Sequence, residues 1–180
     1  MKSYLKKIII TILQYEARAI LAKYKPRIVA VTGSVGKTST KDAIFTVLSS
    51  AFSVRKSEKS YNSEIGIPLT IIGVPNAWSN PLLWGKNLIQ GLLTFLLRVD
   101  YPEWLALEVG ADRPGDIKKI ARWLKPDVTV ITRLSKVPVH VEFFSGPEAV
   151  AKEKSKIIKN LPSDGTAIIN FDDEVVRDLK

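Results

Sequence analysis

Two spacings alternate along this chain. Short apolar runs at residues 27–32, 104–109, 128–132 and 166–170 hold five or six residues each. Runs of that length, continuous rather than alternating, read as strands covered on both faces. Residues 53–57 fit a further short strand. Between the runs lie longer stretches with apolar positions every three or four residues, the helical spacing. Over 38–51 these are Ala43, Ile44, Val47 and Leu48. After Arg113 and Pro114 they are Ile117, Ile120, Ala121 and Leu124. Residues 82–97 are strongly apolar and helical in spacing, but Asn87, Gln90 and the flanking Lys86 and Arg98 argue against a membrane span. Ser145 and Glu148 have capping-box spacing, which predicts a helix from there to about residue 160. Residues 59–68 are polar and turn-rich and read as a functional loop. Strands alternating with helices predict an α/β domain with a mainly parallel sheet and helices on both faces.

The first 25 residues stand apart as an expected amphipathic helix, residues 3–23, with Leu5, Ile9, Ile12 and Ile20 toward one side. The apolar run inside it, residues 8–13, is too short to cross a bilayer and is followed at once by Gln14, Glu16 and Arg18. Packing against the domain is the plainer role for this helix, and peripheral contact with a membrane surface the alternative. Residues 26–180 are then expected to form one domain, incomplete at its C-terminal end. Lys and Arg outnumber Asp and Glu by 27 to 18, which suits nucleic acid, an anionic membrane or an anionic small molecule. Aromatic and basic residues are not interleaved as in a single-strand-binding groove, so no nucleic-acid partner is expected. The chain has no cysteine, which excludes disulfides, thiolate metal sites and a cysteine nucleophile and suits a cytoplasmic location.

The candidate chemistry begins directly after the first strand, at Gly33-Ser34-Val35-Gly36-Lys37-Thr38-Ser39. Two glycines let the backbone curl so that amides face a phosphate, and the following helix adds the positive end of its dipole. Lys37 supplies a charge for the outer phosphates and Thr38 a hydroxyl for the accompanying Mg2+. The spacing is the short form, G-x-x-G-K-[ST], of a P-loop. Glu108 falls at the carboxyl end of another strand, where ligands gather in open parallel sheets and a carboxylate can reach Mg2+. His140, the single histidine, follows the 128–132 strand. Lys154 lies among Lys152, Lys156 and Lys159 and by itself reads as a solvated lysine. Asn170 and Asp172 follow the last strand and suit either a base or ribose contact or a helix cap.

In this order the pieces resemble the central domain of the Mur ligases. The resemblance rests on residues 32–39, on Asn62-Ser63-Glu64-Ile65-Gly66-Ile67-Pro68, on Leu107 to Ala111 with Arg113 to Ile117, on Ala151 to Lys154, and more weakly on Asn170 to Asp173. The second stretch points to the branch that adds D-Ala-D-Ala to a UDP-muramyl-tripeptide in peptidoglycan synthesis. That resemblance implies an ATP-dependent ligase forming a peptide bond through an acyl phosphate. It implies that Gly33 to Ser39 and Asn62 hold ATP, that Thr38, Glu108, His140 and Lys154 serve two Mg2+ ions, and that Lys154 is carbamylated and therefore partly buried with a lowered pKa. Asn170 and Asp172 would lie near the adenosine. It also implies a UDP-muramyl-peptide as substrate, and a C-terminal domain or partner to complete the site. This sequence departs from the family pattern at Ser63, Arg133 and Lys156 and in the spacing from Thr132 to His140. Folylpolyglutamate-like and cyanophycin-like synthetases, a lipid-linked amidotransferase subunit and a non-catalytic nucleotide-binding module remain open as alternatives. A GTPase is disfavoured by the lack of an Asn-Lys-x-Asp motif.

Overall fold

The computed structural model describes residues 3–58, 61–111, 113–134 and 143–178, so His140 lies outside the described residues. Five parallel strands, β1 (Arg27–Thr32), β2 (Val54–Lys56), β3 (Trp104–Glu108), β4 (Val128–Ile131) and β5 (Thr166–Ile169), form one sheet in the order β2-β3-β1-β4-β5. The central β1 pairs Val31 with Glu108 on one side and Thr32 with Ile131 on the other. Strand ends from both halves of the sheet therefore meet at one carboxyl edge.

Side chains alternate across this sheet. Ile28, Ala30, Leu105 and Leu107 face a core built with α1 (Ser3–Tyr24), α3 (Gly66–Ile72), α4 (Pro81–Leu96) and α5 (Asp116–Leu124). Val29, Val31 and Val130 face the other way, onto Ile44 and Leu48 of α2 (Lys37–Leu48). The expected helices on both faces are present. A smaller cluster joins Ile131 and Leu134 to Ala151 of α6 (Pro147–Ser155) and Val176 of α7 (Glu174–Arg177).

Several expectations change in detail. In α1 the buried row is Ile9, Leu13, Ala17 and Ile20, while Leu5 and Ile12 face outward. At 3.6 residues per turn, Ile12 falls off the row that Ile9 and Leu13 define. In α2 the inward positions are Lys41, Ile44, Phe45 and Leu48, and Ala43 and Val47 are exposed. Residues 59–68 are not all loop. Gly66 opens α3, a helix whose seven residues are all buried and which therefore shows no apolar–polar period in the sequence. Ser145 does not cap α6. The helix starts at Pro147, whose fixed φ and missing N–H suit the first helical position, with Gly146 before it. It ends at Ser155, followed by a short 3-10 turn, Ile158–Asn160.

The N-terminal helix is integral to the body. Lys23 Nζ donates to the Phe95 carbonyl at 2.6 Å and also to that of Leu97, and the Tyr24 hydroxyl donates to the Thr94 and Leu97 carbonyls at 3.0 Å. These contacts cap the C-terminal end of α4, whose last carbonyls have no partner within the helix. Among the described residues no helix is long and apolar enough to cross a membrane.

Candidate functional site

The turn from β1 into α2 requires its glycines. Gly33 sits at φ 147°, and a Cβ there would fall 2.0 Å from Thr132 Oγ1. Gly36, at φ 83°, precedes the first residue of α2. A left-handed backbone strains any residue with a side chain, and the close packing at Gly33 leaves no space for one. Thr132, just past β4, holds the turn by donating its hydroxyl to the Val35 carbonyl at 2.7 Å. The Ser34 and Val35 amides both donate to the Arg133 carbonyl, at 2.7 and 3.4 Å. Two of the loop amides are thus engaged by protein. The amides of the first turn of α2, from Lys37 to Ser39, have no earlier turn to bond and are open to an anion, where the helix dipole also acts.

Glu108 stands at the tip of β3, beside this turn. Its Oε2 accepts the Thr38 hydroxyl at 2.8 Å and its Oε1 accepts the Asn62 amide at 3.2 Å. Glu108 is 5% exposed. Asn62 is held in turn by its backbone carbonyl, which accepts Gly110 N at 2.7 Å. The side chains of Thr38, Asn62 and Glu108 come from three separated stretches of sequence, and the parallel register of β1 and β3 brings them together. Ser57, whose Oγ accepts the Glu108 backbone amide at 3.2 Å, fixes the strand tip from the β2 side.

Lys154 approaches from α6. Its ammonium donates to the Gly33 carbonyl at 2.6 Å and to Ser34 Oγ at 3.3 Å, and the residue is 7% exposed. Burial, assisted by the nearby charge of Lys37, pulls its pKa down to about 8. The solvated-lysine reading is therefore excluded by its position. The neighbouring Glu153 accepts the Ile117 and Lys118 amides at 3.1 and 3.4 Å, at the N-terminal turn of α5, and pairs with Lys156. Burial raises its carboxyl, but the Lys156 ammonium and the backbone amides outweigh that and hold it below the usual range. Lys156 is the counter-ion of this buried glutamate.

Asn170 and Asp172 lie at the same edge, after β5. Asn170 N donates to the Ile131 carbonyl, and its Oδ1 accepts the Asp172 amide at 3.2 Å. The capping role belongs to Asp173, which accepts Val176 N at 3.0 Å and Leu134 N at 3.1 Å. Asp172 itself is exposed.

Sequence reasoning missed Lys41, Ser57 and Glu153. Lys41 is 1% exposed on α2 and donates to the Ser57 carbonyl at 2.6 Å. Its place on the row of Ile44 and Leu48 was the available signal. Ser57 carried none, and for Glu153 only the spacing to Lys156 was visible, because their other partners lie far along the chain.

A five-stranded parallel sheet, covered on both faces and carrying a glycine turn from its central strand into a helix, defines the P-loop-type α/β class. Residues 31–80 and 86–180 match the model of the Mur ligase middle domain, and the chain belongs to that family. It is 31% identical over 168 residues to the UDP-N-acetylmuramoyl-tripeptide–D-alanyl-D-alanine ligase of Bacillus subtilis, covering 93% of this chain and 31% of that protein. The protein of the same name from Borreliella burgdorferi is 32% identical over 154 residues, covering 85% of this chain and 28% of its own length. Among solved structures, the MurF ligase of Thermotoga maritima in complex with ADP superposes with a TM-score of 0.71 at 31% identity, over 94% of this chain and 34% of that one. MurF from Acinetobacter baumannii shares the fold, with a TM-score of 0.72 at 21% identity over 95% of this chain and 32% of its own. The chain spans about a third of the length of these relatives.

Proposed function

We propose that this chain supplies the ATP and Mg2+ site of a ligase that joins D-Ala-D-Ala to a UDP-muramyl-tripeptide. The observation that carries the reading is the Glu108 carboxylate, buried between the Thr38 hydroxyl and the Asn62 amide beside the glycine turn. A hydroxyl and a carboxylate at that spacing are hard oxygen donors of the kind Mg2+ takes. In this reading residues 26–180 are the nucleotide-binding unit, with residues 1–25 as a helix docked on it, in the cytoplasm where ATP is available. His140 is assigned to the second metal ion on the family resemblance.

The reaction joins two steps. A substrate carboxylate oxygen attacks the γ-phosphorus of ATP, the bond to the β,γ-bridging oxygen breaks, and ADP leaves with the electron pair. The amine of D-Ala-D-Ala then attacks the acyl carbon, inorganic phosphate leaves, and the nitrogen loses a proton. Bound Mg2+ would offset the repulsion between the two anions and stabilise charge on the transferred group. The protein's own part is positioning and charge. The first-turn amides of α2 and Lys37 hold the outer phosphates, Glu108 and Thr38 face the metal, Asn62 orients Glu108, and Asn170 and Asp172 lie toward the adenosine. Lys154, buried and with a lowered pKa, has a larger neutral fraction than a solvated lysine, and only a neutral amine adds CO2. Its nitrogen would bond the carbon and release a proton, giving a carbamate that acts as a metal-directed carboxylate.

A cleft runs away from Asn62. A cavity of about 350 Å³ bounded by Lys6 and Arg113 and by Glu64 and Asp116, its charges balanced, adjoins a wider, cationic one of about 730 Å³ between α1 and α5, lined by Lys7, Arg18, Lys119 and Arg122. That charge suits an anionic, phosphate-bearing acceptor.

Calorimetric titration with ATP and GTP, each with and without Mg2+, tests the nucleotide reading. ATP binding strengthened by Mg2+ is the expected result, and no binding of either nucleotide overturns it. Phosphate release requiring both UDP-muramyl-tripeptide and D-Ala-D-Ala tests the substrates.

A further inference from the structure

The α4 helix leaves much of its apolar surface outside. Its buried positions are Trp84, Asn87, Gly91 and Thr94, with Leu83 and Leu88 half-buried against the core, whereas Leu82 is 84%, Ile89 61%, Leu92 49% and Leu96 62% exposed. The inward polar groups hold this orientation. The Asn87 amide donates to the Pro75 carbonyl at 2.7 Å, the Trp84 indole donates to the Trp78 carbonyl at 3.1 Å, and Lys23 and Tyr24 cap the helix end. Gly91 lets Glu16 of α1 lie against the helix, since a Cβ there would meet Glu16 Oε2 at 2.2 Å. Turning α4 to hide its leucines would break all of these contacts. Its outer face is therefore apolar by construction, and contiguous apolar faces of this kind mark contact surfaces.

The strip continues onto α1. Ile8 and Ile12 are exposed and lie on the i, i+4 row that ends at Glu16, beside α4, with exposed Tyr4 and Tyr15 flanking them. We propose that the outer face of α4, with this adjoining strip of α1, docks on the anionic lipid surface of a membrane.

Charge selects the occupant. The helix α4 has no acidic residue, and its one charged side chain, Lys86, is exposed, as is Arg98 just beyond it. The single acidic residue of α1, Glu16, is turned toward α4 and away from that surface. A surface of leucines edged with cations matches lipid tails beneath anionic headgroups. A second copy of the same face would set those cations against one another. Exposed Trp78, Tyr4 and Tyr15 are the amphipathic rings favoured at a lipid–water boundary. No described helix is apolar and long enough to cross, so the contact is peripheral.

The test is co-sedimentation of the whole chain with vesicles of phosphatidylglycerol and phosphatidylcholine, beside vesicles of phosphatidylcholine alone. The chain is expected to bind the anionic vesicles and to bind the neutral ones less well. The L92E/L96E double variant, changed only at exposed positions, is expected to bind roughly tenfold or more weakly. Its ATP titration and melting temperature are expected to stay at the wild-type values, which separates docking from folding and from the nucleotide reading. The K86E/R98E variant is expected to lose the preference for anionic vesicles. The proposal is overturned if wild type binds neither vesicle, or if L92E/L96E binds as wild type does. It is equally overturned if the chain is a dimer that L92E/L96E converts to monomer without any vesicle binding, because the face then belongs to a second copy.

Discussion

Lys154 at the carboxyl edge of the sheet and Glu16 beneath α4 are both ionisable groups drawn out of water, and their surroundings differ. Lys154 has two acceptors, the Gly33 carbonyl and Ser34 Oγ, and faces a second cation, Lys37. Glu16 Oε2 is buried with no hydrogen-bond partner among the described residues. Burial lifts its carboxyl to about 7. At the sheet edge Thr38, Glu108 and Asn62, and Lys41 with Ser57, are joined donor to acceptor, while among the described residues the neutral hydroxyl of Thr32 is left buried without a partner. At the α1–α4 seam a charge is tolerated because the geometry of two helices and Gly91 leaves it there. An unpartnered buried group in a native protein costs stability, and a satisfied network specifies one arrangement.

The sharpest way to break this comparison is at the nucleotide. Replacing Lys37 with Ala is expected to weaken ATP binding by about a hundredfold or more, since it removes a charged partner of the phosphates. Unchanged affinity in a calorimetric titration would detach the glycine turn from nucleotide altogether. Glu108→Gln keeps the shape of the Thr38–Asn62 bridge but removes its charge. Its expected effect is about tenfold, confined to the increment that Mg2+ adds to ATP affinity. An equal loss with and without Mg2+ would make Glu108 a packing residue.

The two ionisable groups should also tilt stability in opposite directions with pH. For Lys154 the folded pKa lies below the unfolded one, so the unfolded chain binds more protons between about 8 and the ordinary lysine value, and stability rises with pH across that window. Lys154→Met should flatten that rise. It should also abolish the carbamate signal expected in a carbon-13 spectrum of wild type under labelled bicarbonate. A wild-type spectrum without that signal removes the carbamate from the mechanism. For Glu16 the folded pKa is raised, so the folded chain binds the extra proton, and stability falls as pH rises from the ordinary carboxylate range through about 7. Glu16→Gln should remove that fall and raise the melting temperature at pH 8 by about 2–4 °C. Identical melting profiles for variant and wild type would mean that Glu16 is solvated in the folded chain.

Much of the site was legible before the fold was known, because its parts announce themselves locally. A glycine turn between an apolar run and a helix is a local pattern, and so is a glutamate at a strand end. The lowered pKa of Lys154 was expected from the family resemblance and is now supported by its burial. The same local reading failed for α3, whose seven buried residues leave no period to detect, and for the capping box at Ser145, which Pro147 displaces. It also misplaced the exposed face of α1, where Leu5 and Ile12 are as apolar as the residues that are buried.

Composition and spacing were enough to determine the parallel α/β class, the glycine turn after β1 and the acidic strand tip, because each depends on neighbours within a few residues. Which groups meet was decided by tertiary structure. Glu108 meets Thr38 and Asn62, Lys154 reaches Gly33, and Glu153 caps α5 through contacts spanning tens of residues, set by strand order and helix docking. The outward apolar face of α4 has the same origin. A helix rich in leucine can bury any of its faces, and hydrogen bonds from Asn87 and the residues capping its end choose the one that turns inward.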